Sequence, residues 1–498
     1  MQYRSTRGPL DKNLNAPQAI IKGLADDGGL LVPTKFPSSS LPIENLPKMT
    51  YQQIVHLILT LFFNDFTPDQ LQKSIEQAYG DQWDSQQITP ISNSHSNNYY
   101  LELFHGPTLA FKDVALQILP YLMTSAVTIE QISNKIIILT ATSGDTGTAA
   151  MRGFSNQSGT QVIVFYPHGG VSPVQLKQML GQRGNNLTAI AIEGNFDDAQ
   201  TEVKRIFNDT TFNQQLQQNS YQFSSANSMN IGRLIPQIAY YFSAYGQLVN
   251  KGKIQVGDVL NFAVPTGNFG DILAGYYAKK LGLPINKLIC ASDENNVLTD
   301  FFKTGEYNRQ RQFYLTNSPA MDILVSSNLE RLLFDLAGNN AELISKYMDQ
   351  LVQEGHYQVN SVIKAQLDRQ FAAGFATQDQ VVQEIHRVYK ADGYLIDPHT
   401  AVASFVTNQY QASHNDKTPT VIVSTASPYK FPETVYKAIT GQVVSTPGLA
   451  AIHDLQKVVQ QPLSNNVQDL FNQSIRAEQV IQPTKMEETI SKLLTSTY

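Results

Sequence analysis

Two segments of the sequence share one pattern, and that pattern restricts the fold more than any other feature of the chain. In each segment a short run of β-branched and other apolar residues leads into a glycine-rich turn, and the turn leads into a helical stretch. The apolar runs cover residues 135–140 and 260–265, and the helical stretches cover residues 149–154 and 272–281. A strand followed by a turn and a helix is the repeating unit of parallel sheets. The sequence therefore predicts an α/β fold.

The two turns are predicted to bind anions, because each leads into a helix. Free backbone N–H groups and the positive end of the helix dipole then point toward one place. The first turn consists of Ser143, Gly144, Asp145, Thr146 and Gly147. The second turn consists of Gly267, Asn268, Phe269 and Gly270. Neither turn has the Gly-Lys-Ser/Thr ending of a P-loop or the Gly-x-Gly-x-x-Gly pattern, which argues against nucleoside triphosphates and dinucleotides.

Lys112 is the candidate nucleophile. It lies in the run His-Gly-Pro-Thr-Leu-Ala-Phe-Lys-Asp at 105–113, after a Gly-Pro turn and before a series of apolar residues. This context predicts the first turn of a partly buried helix. Burial disfavours the ammonium form of lysine and lowers its pKa, so the amine can form a Schiff base. A lysine that only reaches solvent from an apolar helix is the alternative, and the two glycine turns favour the chemical interpretation.

A further strand, 421–425, ends in the hydroxyl residues Ser424 and Thr425. Hydroxyls at the carboxyl end of a strand lie where open α/β sheets bind ligands. The Thr425 hydroxyl suits a ring nitrogen, because it forms a hydrogen bond without imposing a full positive charge on the ring. A reactive lysine, a phosphate-binding turn and this hydroxyl together indicate pyridoxal 5′-phosphate as the cofactor.

These motifs resemble those of the threonine synthases, and the resemblance extends over most of the chain. Besides the lysine run and the two turns, it rests on Ser-Thr-Ala-Ser-Pro-Tyr-Lys-Phe at 424–431 and on Tyr-Arg-Ser-Thr-Arg-Gly at 3–8. The remaining matches lie at 23–30, 193–198, 227–233, 318–323 and 397–401. The lysine run is shared by several pyridoxal-phosphate lyases of the tryptophan synthase β type, whereas the N-terminal signature and the second turn are narrower.

The resemblance implies a reaction and a role for each candidate residue. The reaction converts O-phospho-L-homoserine and water to L-threonine and phosphate, with Lys112 as the Schiff-base lysine and proton carrier. The residues implied to bind the cofactor are Lys112, Gly267, Asn268, Phe269, Gly270, Thr425 and, near the ring hydroxyl, Asp145. The residues implied to bind the substrate are Ser143, Gly144, Thr146, Gly147, Asn227 and Arg233.

Several alternatives stay open at the level of sequence. The two turns could exchange their roles. The activity could be that of a threonine or serine dehydratase, or of a phospho-lyase that releases 2-oxobutyrate, and a non-catalytic homologue is a further alternative. The Asp-Pro-His-Thr run at 397–400 fits either an acid–base pair or the capping turn of a helix.

Composition limits the partners that the chain can have. With 36 basic and 42 acidic residues the formal net charge is −6, and no basic stripe invites nucleic acid or an anionic membrane. Cys290 is the only cysteine, so no internal disulfide is possible. No segment approaches the ~18 apolar residues of a membrane span. We therefore expect a cytoplasmic monomer or homodimer, and since the histidines lack metal-ligand spacing, we expect no metal.

The predicted organisation has two unequal open parallel-sheet domains of the tryptophan synthase β-like kind and a helical N-terminal domain. The N-terminal domain covers 1–95, the large cofactor domain covers 96–129 and 240–498, and the small domain covers 130–239. Within the large domain we expect a helix at 362–373 and a helical tail from 455 onward.

Overall fold

The computed structural model describes residues 1–9, 13–38, 40–93 and 97–495. Its strands are β1 Gln2–Ser5, β2 Leu14–Asn15, β3 Leu31–Pro33, β4 Ile91–Asn93, β5 Asn98–Glu102, β6 Lys135–Ala141, β7 Thr160–Pro167, β8 Leu187–Ile192, β9 Tyr221–Ser224, β10 Leu260–Pro265, β11 Ile285–Ser292, β12 Glu306–Asn308, β13 His356–Gln358, β14 Phe371–Phe375, β15 Thr420–Ser424 and β16 Val480–Ile481.

The α-helices connect these strands and cover both faces of the sheets. They are α1 Ala16–Lys22, α2 Tyr51–Phe62, α3 Pro68–Ala78, α4 Lys112–Leu116, α5 Leu119–Ile129, α6 Asp145–Phe154, α7 Pro173–Gly181, α8 Phe196–Asn208, α9 Thr210–Gln218, α10 Ile231–Leu234, α11 Ile238–Asn250, α12 Gly270–Lys280, α13 Val297–Thr304, α14 Leu329–Leu336, α15 Ala341–Gln353, α16 Ser361–Gln370, α17 Gln378–Asp392, α18 Pro398–His414, α19 Pro432–Thr440, α20 Leu449–Val459, α21 Asn465–Asn472 and α22 Met486–Thr495. Across the described ranges, no helix is both long and apolar enough to cross a bilayer.

The larger sheet has six strands in the order β14-β11-β10-β15-β5-β4. Its neighbours are parallel except for β4, which pairs antiparallel with β5 at one edge. The central strands β10 and β15 are buried along their whole length, because helices cover both faces of the sheet. This burial explains why their sequences are continuous apolar runs rather than alternating ones.

The smaller sheet has five parallel strands in the order β16-β8-β7-β6-β9. The N-terminal region adds an antiparallel sheet in the order β2-β1-β3 beside its helices. The prediction of an α/β fold with two unequal parallel sheets is therefore confirmed.

Two segments differ from the sequence-based expectations. Residues 371–373, expected to end a helix, belong to β14, which pairs in parallel with β11 at the edge of the larger sheet. Within the expected helical tail, β16 forms the edge of the smaller sheet by pairing with β8. Both strands depend on pairing with distant parts of the chain, which a local pattern does not reveal. The domain limits stay a prediction, and the proposed boundary at 95/96 lies outside the described residues.

Candidate active site

The carboxyl ends of three neighbouring strands bring the main candidates together. In the larger sheet β10, β15 and β5 are adjacent and parallel, so the segments that follow them leave from the same edge. Gly267 follows β10, Thr425 follows β15, and Lys112 begins the helix after β5. The N–H of Phe111 donates to the carbonyl of Thr425 at 2.8 Å, which joins the lysine loop directly to the end of β15.

A local hydrogen-bond turn sets the start of the helix that carries Lys112. The backbone N–H and the hydroxyl of Thr108 donate to the two carboxylate oxygens of Asp113 at 2.7 and 2.8 Å. Gly106 is required in this turn, because a Cβ there would lie 2.6 Å from the Asp113 Cβ. Lys112 is the first residue of α4 and is buried. The structure thus places Lys112 in the first turn of a helix, where the sequence predicts it.

The second glycine turn exposes backbone donors toward the site. Phe269 has a left-handed backbone with φ of 65°, a conformation that non-glycine residues adopt rarely and that occurs often at functional sites. Two side chains fix the backbone carbonyls of the turn. Ser326 Oγ donates to the Gly267 carbonyl at 2.6 Å, and Asn328 Nδ2 donates to the Asn268 carbonyl at 3.0 Å. The N–H groups of residues 268–271 have no hydrogen-bond partner within the described part of the chain.

The first glycine turn differs from the second because two of its N–H groups already have hydrogen-bond partners. The N–H groups of Gly144 and Gly147 both donate to Thr142 Oγ1, each at 3.0 Å. Gly144 has φ of 134°, and a Cβ there would meet the side-chain amide of Gln175 at 2.4 Å. The same Gln175 Nε2 donates to Asp145 Oδ1 at 2.8 Å. This turn therefore uses two of its N–H groups internally and fixes the carboxylate of Asp145.

One cavity of about 950 Å³ collects most of the sequence-predicted residues. Those that line it are Lys112, Ser143, Thr146, Asn227, Arg233, Gly267, Asn268, Phe269, Gly270 and Thr425. Gly144, Asp145 and Gly147 are not among the described residues that form its wall. Asp145 nevertheless reaches the site, because Lys112 Nζ donates to its Oδ2 at 3.3 Å.

Two lysine side chains contact the carboxylate of Asp145. Lys430 Nζ lies 2.9 Å from Asp145 Oδ1, and Lys112 contacts the other oxygen of the carboxylate. Burial would raise the pKa of Asp145, but the two lysines and Gln175 hold it well below its ordinary value. Burial lowers the pKa of Lys112; Asp145 opposes that effect, and the nearby cations of Arg233 and Lys430 reinforce it.

Arg233 and Asp271 are further buried charges at the cavity wall. Burial lowers the pKa of Arg233 to about 10, and its Nη1 donates to the Ala226 carbonyl at 3.0 Å. Burial raises the pKa of Asp271 to about 6, against the hydroxyls of Tyr240 and Tyr241 that donate to its Oδ1. An arginine held in this way suits a planar anion such as a phosphate or a carboxylate.

Comparison with protein-family models divides the chain into three matched parts. A model described as the threonine synthase N terminus matches residues 2–79, and one for the C-terminal part of threonine synthase matches residues 400–490. A model described as pyridoxal-phosphate dependent enzyme matches residues 86–426, which is more than half of the chain, and overlaps the C-terminal match over residues 400–426.

Individual relatives agree with these models. The chain is 38% identical over 467 residues to threonine synthase of Saccharomyces cerevisiae, a match that covers 88% of this chain and 89% of the yeast protein. The chain belongs to the threonine synthase family. A threonine synthase from Brucella melitensis, solved with bound pyridoxal phosphate, superimposes with a TM-score of 0.86 at 35% identity and covers 100% of this chain and 99% of its own.

A human relative, threonine synthase-like 1, is more similar still, at 42% identity over 434 residues and 85% of this chain. The chain spans only 58% of the length of that relative. Membership of the threonine synthase family is therefore shown.

The sequence analysis missed two residues that contact Asp145 in the site. Lys430 is fully buried against Asp145, although it is part of the Ser-Thr-Ala-Ser-Pro-Tyr-Lys-Phe run that carries the resemblance. Gln175 stands three positions after Ser172, which is the spacing of a capping box, and the two residues form that box at the start of α7. Its second contact, to Asp145, joins segments 30 residues apart and has no local signal.

The structure shows a helix cap in the Asp-Pro-His-Thr run and also an Asp–His side-chain contact at the cavity wall. Asp397 caps α18 by accepting from the N–H groups of His399 and Thr400, so the capping interpretation is correct. The N–H of Ala320 donates to His399 Nε2 at 3.2 Å, which leaves the ring proton on Nδ1 to be donated to Asp397 at 2.6 Å. His399 therefore fixes the segment around Ala320, and a Cβ on the neighbouring Gly267 would lie 2.8 Å from the Ala320 carbonyl.

Proposed function

We propose that this chain converts O-phospho-L-homoserine and water to L-threonine and phosphate, with pyridoxal 5′-phosphate as its cofactor. The observation that carries the proposal is the buried amine of Lys112, which faces the cavity beside two glycine turns and is paired with Asp145. The membership of the threonine synthase family and the match to the pyridoxal-phosphate model support it.

The residues of the site fit this cofactor. A phosphate monoester needs several converging donors, and the unpaired N–H groups of residues 268–271 supply them at the start of α12. Because Gly144 and Gly147 already donate to Thr142, the second turn is the better candidate for the cofactor phosphate and the first for the substrate. Thr425 would face the ring nitrogen. When bound, the cofactor supplies an electron sink that stabilises a carbanion at the substrate Cα.

The side chains of this chain supply the proton transfers. Lys112 removes the α-proton as a neutral amine, which its buried position favours, and the same amine is within reach of the later protonation steps. Asp145 holds the Lys112 nitrogen through Oδ2 and limits the directions that it can take. Arg233 and Asn227 line the cavity and would bind the phosphate of the substrate until it departs.

A second candidate is elimination without addition of water at Cβ, which converts the same substrate and water to 2-oxobutyrate, ammonia and phosphate. The observation in its favour is that relatives 42% identical to this chain carry the name threonine synthase-like 1 rather than threonine synthase. Both reactions use the same lysine and release phosphate, so the carbon product and the release of ammonia separate them.

The test is incubation with O-phospho-L-homoserine, with phosphate, threonine and 2-oxobutyrate measured together. We expect threonine in equal amount to phosphate, and a loss of about 10³-fold or more in Lys112→Ala, which lacks the base. Lys437→Ala, an exposed lysine on α19, is the matched control and should keep its activity. Phosphate accompanied by 2-oxobutyrate would replace the synthase with the second candidate. Equal rates in both variants would refute the role of Lys112.

We also propose, as finer points, a cytoplasmic location, a monomer or homodimer, and the three domains delimited above. The mild net charge of −6 supports the absence of a nucleic-acid partner, and the buried state of Cys290 fits a reducing compartment. Light scattering of the purified chain would decide between monomer and dimer.

A further inference from the structure

Asp145 is a single buried carboxylate with two lysines. Lys430 Nζ is 2.9 Å from its Oδ1, and Lys112 Nζ is 3.3 Å from its Oδ2. With both lysines protonated these three side chains would carry a net positive charge, although all three are buried. Because an uncompensated buried charge is strongly disfavoured, we expect one of the two lysines to lose its proton.

The contacts of the two lysines differ. Lys430 is 0% exposed, and besides Asp145 its Nζ donates to the Thr108 carbonyl at 2.7 Å. Lys112 has the longer contact to Asp145, and its Nζ lies 5.0 Å from the centroid of the Phe111 ring. It also lines the cavity and lies near the cation of Arg233. An ammonium needs acceptors, and Lys430 has two at short distance. The geometry therefore makes Lys430 the closely held partner of Asp145 and Lys112 the more loosely held one.

We propose that Lys430 is a positioning residue: it pairs permanently with Asp145, keeps that side chain a carboxylate, and so lets Lys112 become a neutral amine without leaving a buried anion alone. The proposal rests on the proposed role of Lys112 and adds the reason why that lysine is the reactive one. Lys430 acts on Lys112 through Asp145 and through the repulsion between the two cations, and it is not among the described residues that line the cavity.

The surrounding charges are few and agree with this assignment. Lys112 is influenced by Asp145 on α6, Arg233 on α10 and Lys430, and it in turn lowers the pKa of Asp271 on α12. Burial raises the pKa of Asp113, beside Lys112, to about 6, and the cation of Lys430 is one of the groups that oppose this rise. Removing the cation of Lys430 therefore leaves Lys112 as the nearest cation to Asp145, and the proton on Lys112 should be held more tightly.

The experiment measures the protonation of Lys112 without using the cofactor. The full chain, freed of cofactor, is acetylated briefly with acetic anhydride over a range of pH, and acetyl-Lys112 is quantified by peptide mass spectrometry. Only the neutral amine attacks the anhydride; a carbon–nitrogen bond forms, acetate leaves, and the proton passes to solvent. In Lys430→Met we expect the midpoint for Lys112 to rise by about 1–2 pH units, so labelling near pH 7 falls about tenfold or more.

Two controls accompany this variant. Lys430→Arg keeps the charge and should leave the midpoint within about half a pH unit, and Lys437→Met removes an exposed lysine on the adjacent helix and should change nothing. If Lys430→Met does not fold, Asp145→Asn is compared with the double variant Asp145→Asn/Lys430→Met, in which no anion is stranded. The double variant should again have the higher midpoint, by about 1–2 pH units.

The outcomes separate this proposal from the proposed function. An unchanged Lys112 midpoint on removal of Lys430, in either comparison, overturns the role of Lys430 whatever the enzyme catalyses. A shifted midpoint in a chain that does not convert O-phospho-L-homoserine supports the role of Lys430 and refutes only the proposed reaction. A shift in Lys430→Arg equal to that in Lys430→Met would also overturn the proposal, because the charge would then not be the cause.

Discussion

Gly153→Ala is expected to separate the two helices that hold Lys112 and Asp145. Gly153 lies near the end of α6, and a Cβ there would be 2.0 Å from the carbonyl oxygen of Leu116, the last residue of α4. Favourable contacts of carbon atoms begin at about 3.5 Å. The helices must therefore move apart by about 1–1.5 Å, since a backbone carbonyl cannot rotate away as a side chain would.

The size of the effect follows from two opposing contributions. Overpacking of a rigid contact costs about 1–3 kcal/mol of folding free energy. Replacing glycine with alanine inside a helix returns up to about 1 kcal/mol. We expect a net loss of about 1–2 kcal/mol. The value of kcat/KM should fall on the order of 10²-fold, because this is the cost of displacing reacting groups by about 1 Å. The contact between Lys112 Nζ and Asp145 Oδ2 is already 3.3 Å long, so a further displacement would break this hydrogen bond.

The assay combines the urea midpoint of unfolding with kcat/KM for phosphate release. Arg152→Ala is the matched control, because it places the same residue type at the exposed neighbouring position of the same helix. We expect that control to keep both values near those of the unmodified chain. Gly153→Ala with an unchanged midpoint and unchanged kcat/KM would show that the helices are not in the close contact that positions Lys112.

Two further predictions concern pH and cofactor affinity. Burial raises the pKa of Asp293 to about 7, and the adjacent Asp322 carboxyl raises it as well. The pKa of an aspartate in the unfolded chain is ~4. The contribution of Asp293 to the free energy of unfolding is therefore complete below about pH 4 and is lost as the pH rises toward 7. Asp293→Asn should therefore flatten the decline of the urea midpoint over that range, and equal slopes would contradict this. Ser326→Ala removes the 2.6 Å bond to the Gly267 carbonyl, worth about 1 kcal/mol. Equilibrium dialysis should show pyridoxal phosphate binding about fivefold weaker, and an unchanged Kd would refute the support of the turn by Ser326.

Prediction from sequence succeeded where the signal was local. The strand, turn and helix around each glycine turn appear as β6 with α6 and as β10 with α12. These units are set by apolar runs and by residues within a few positions of one another, such as Thr108 and Asp113 at the start of α4. The prediction failed at β14 and β16, since each of these strands exists only through pairing with another strand far away in the chain.

The sequence by itself determined that the chain has an α/β fold, that Lys112 opens a helix after a turn, and that two turns can bind anions, because hydrogen bonds and capping act over a few residues. Only the tertiary structure decided what lies beside Lys112. The order β10-β15-β5 sets the second turn and Thr425 around it, and the position of Lys430 against Asp145 joins the segment after β15 to α6 of the other sheet. Strand order and buried ion pairs depend on how distant segments pack, and no local pattern records that packing.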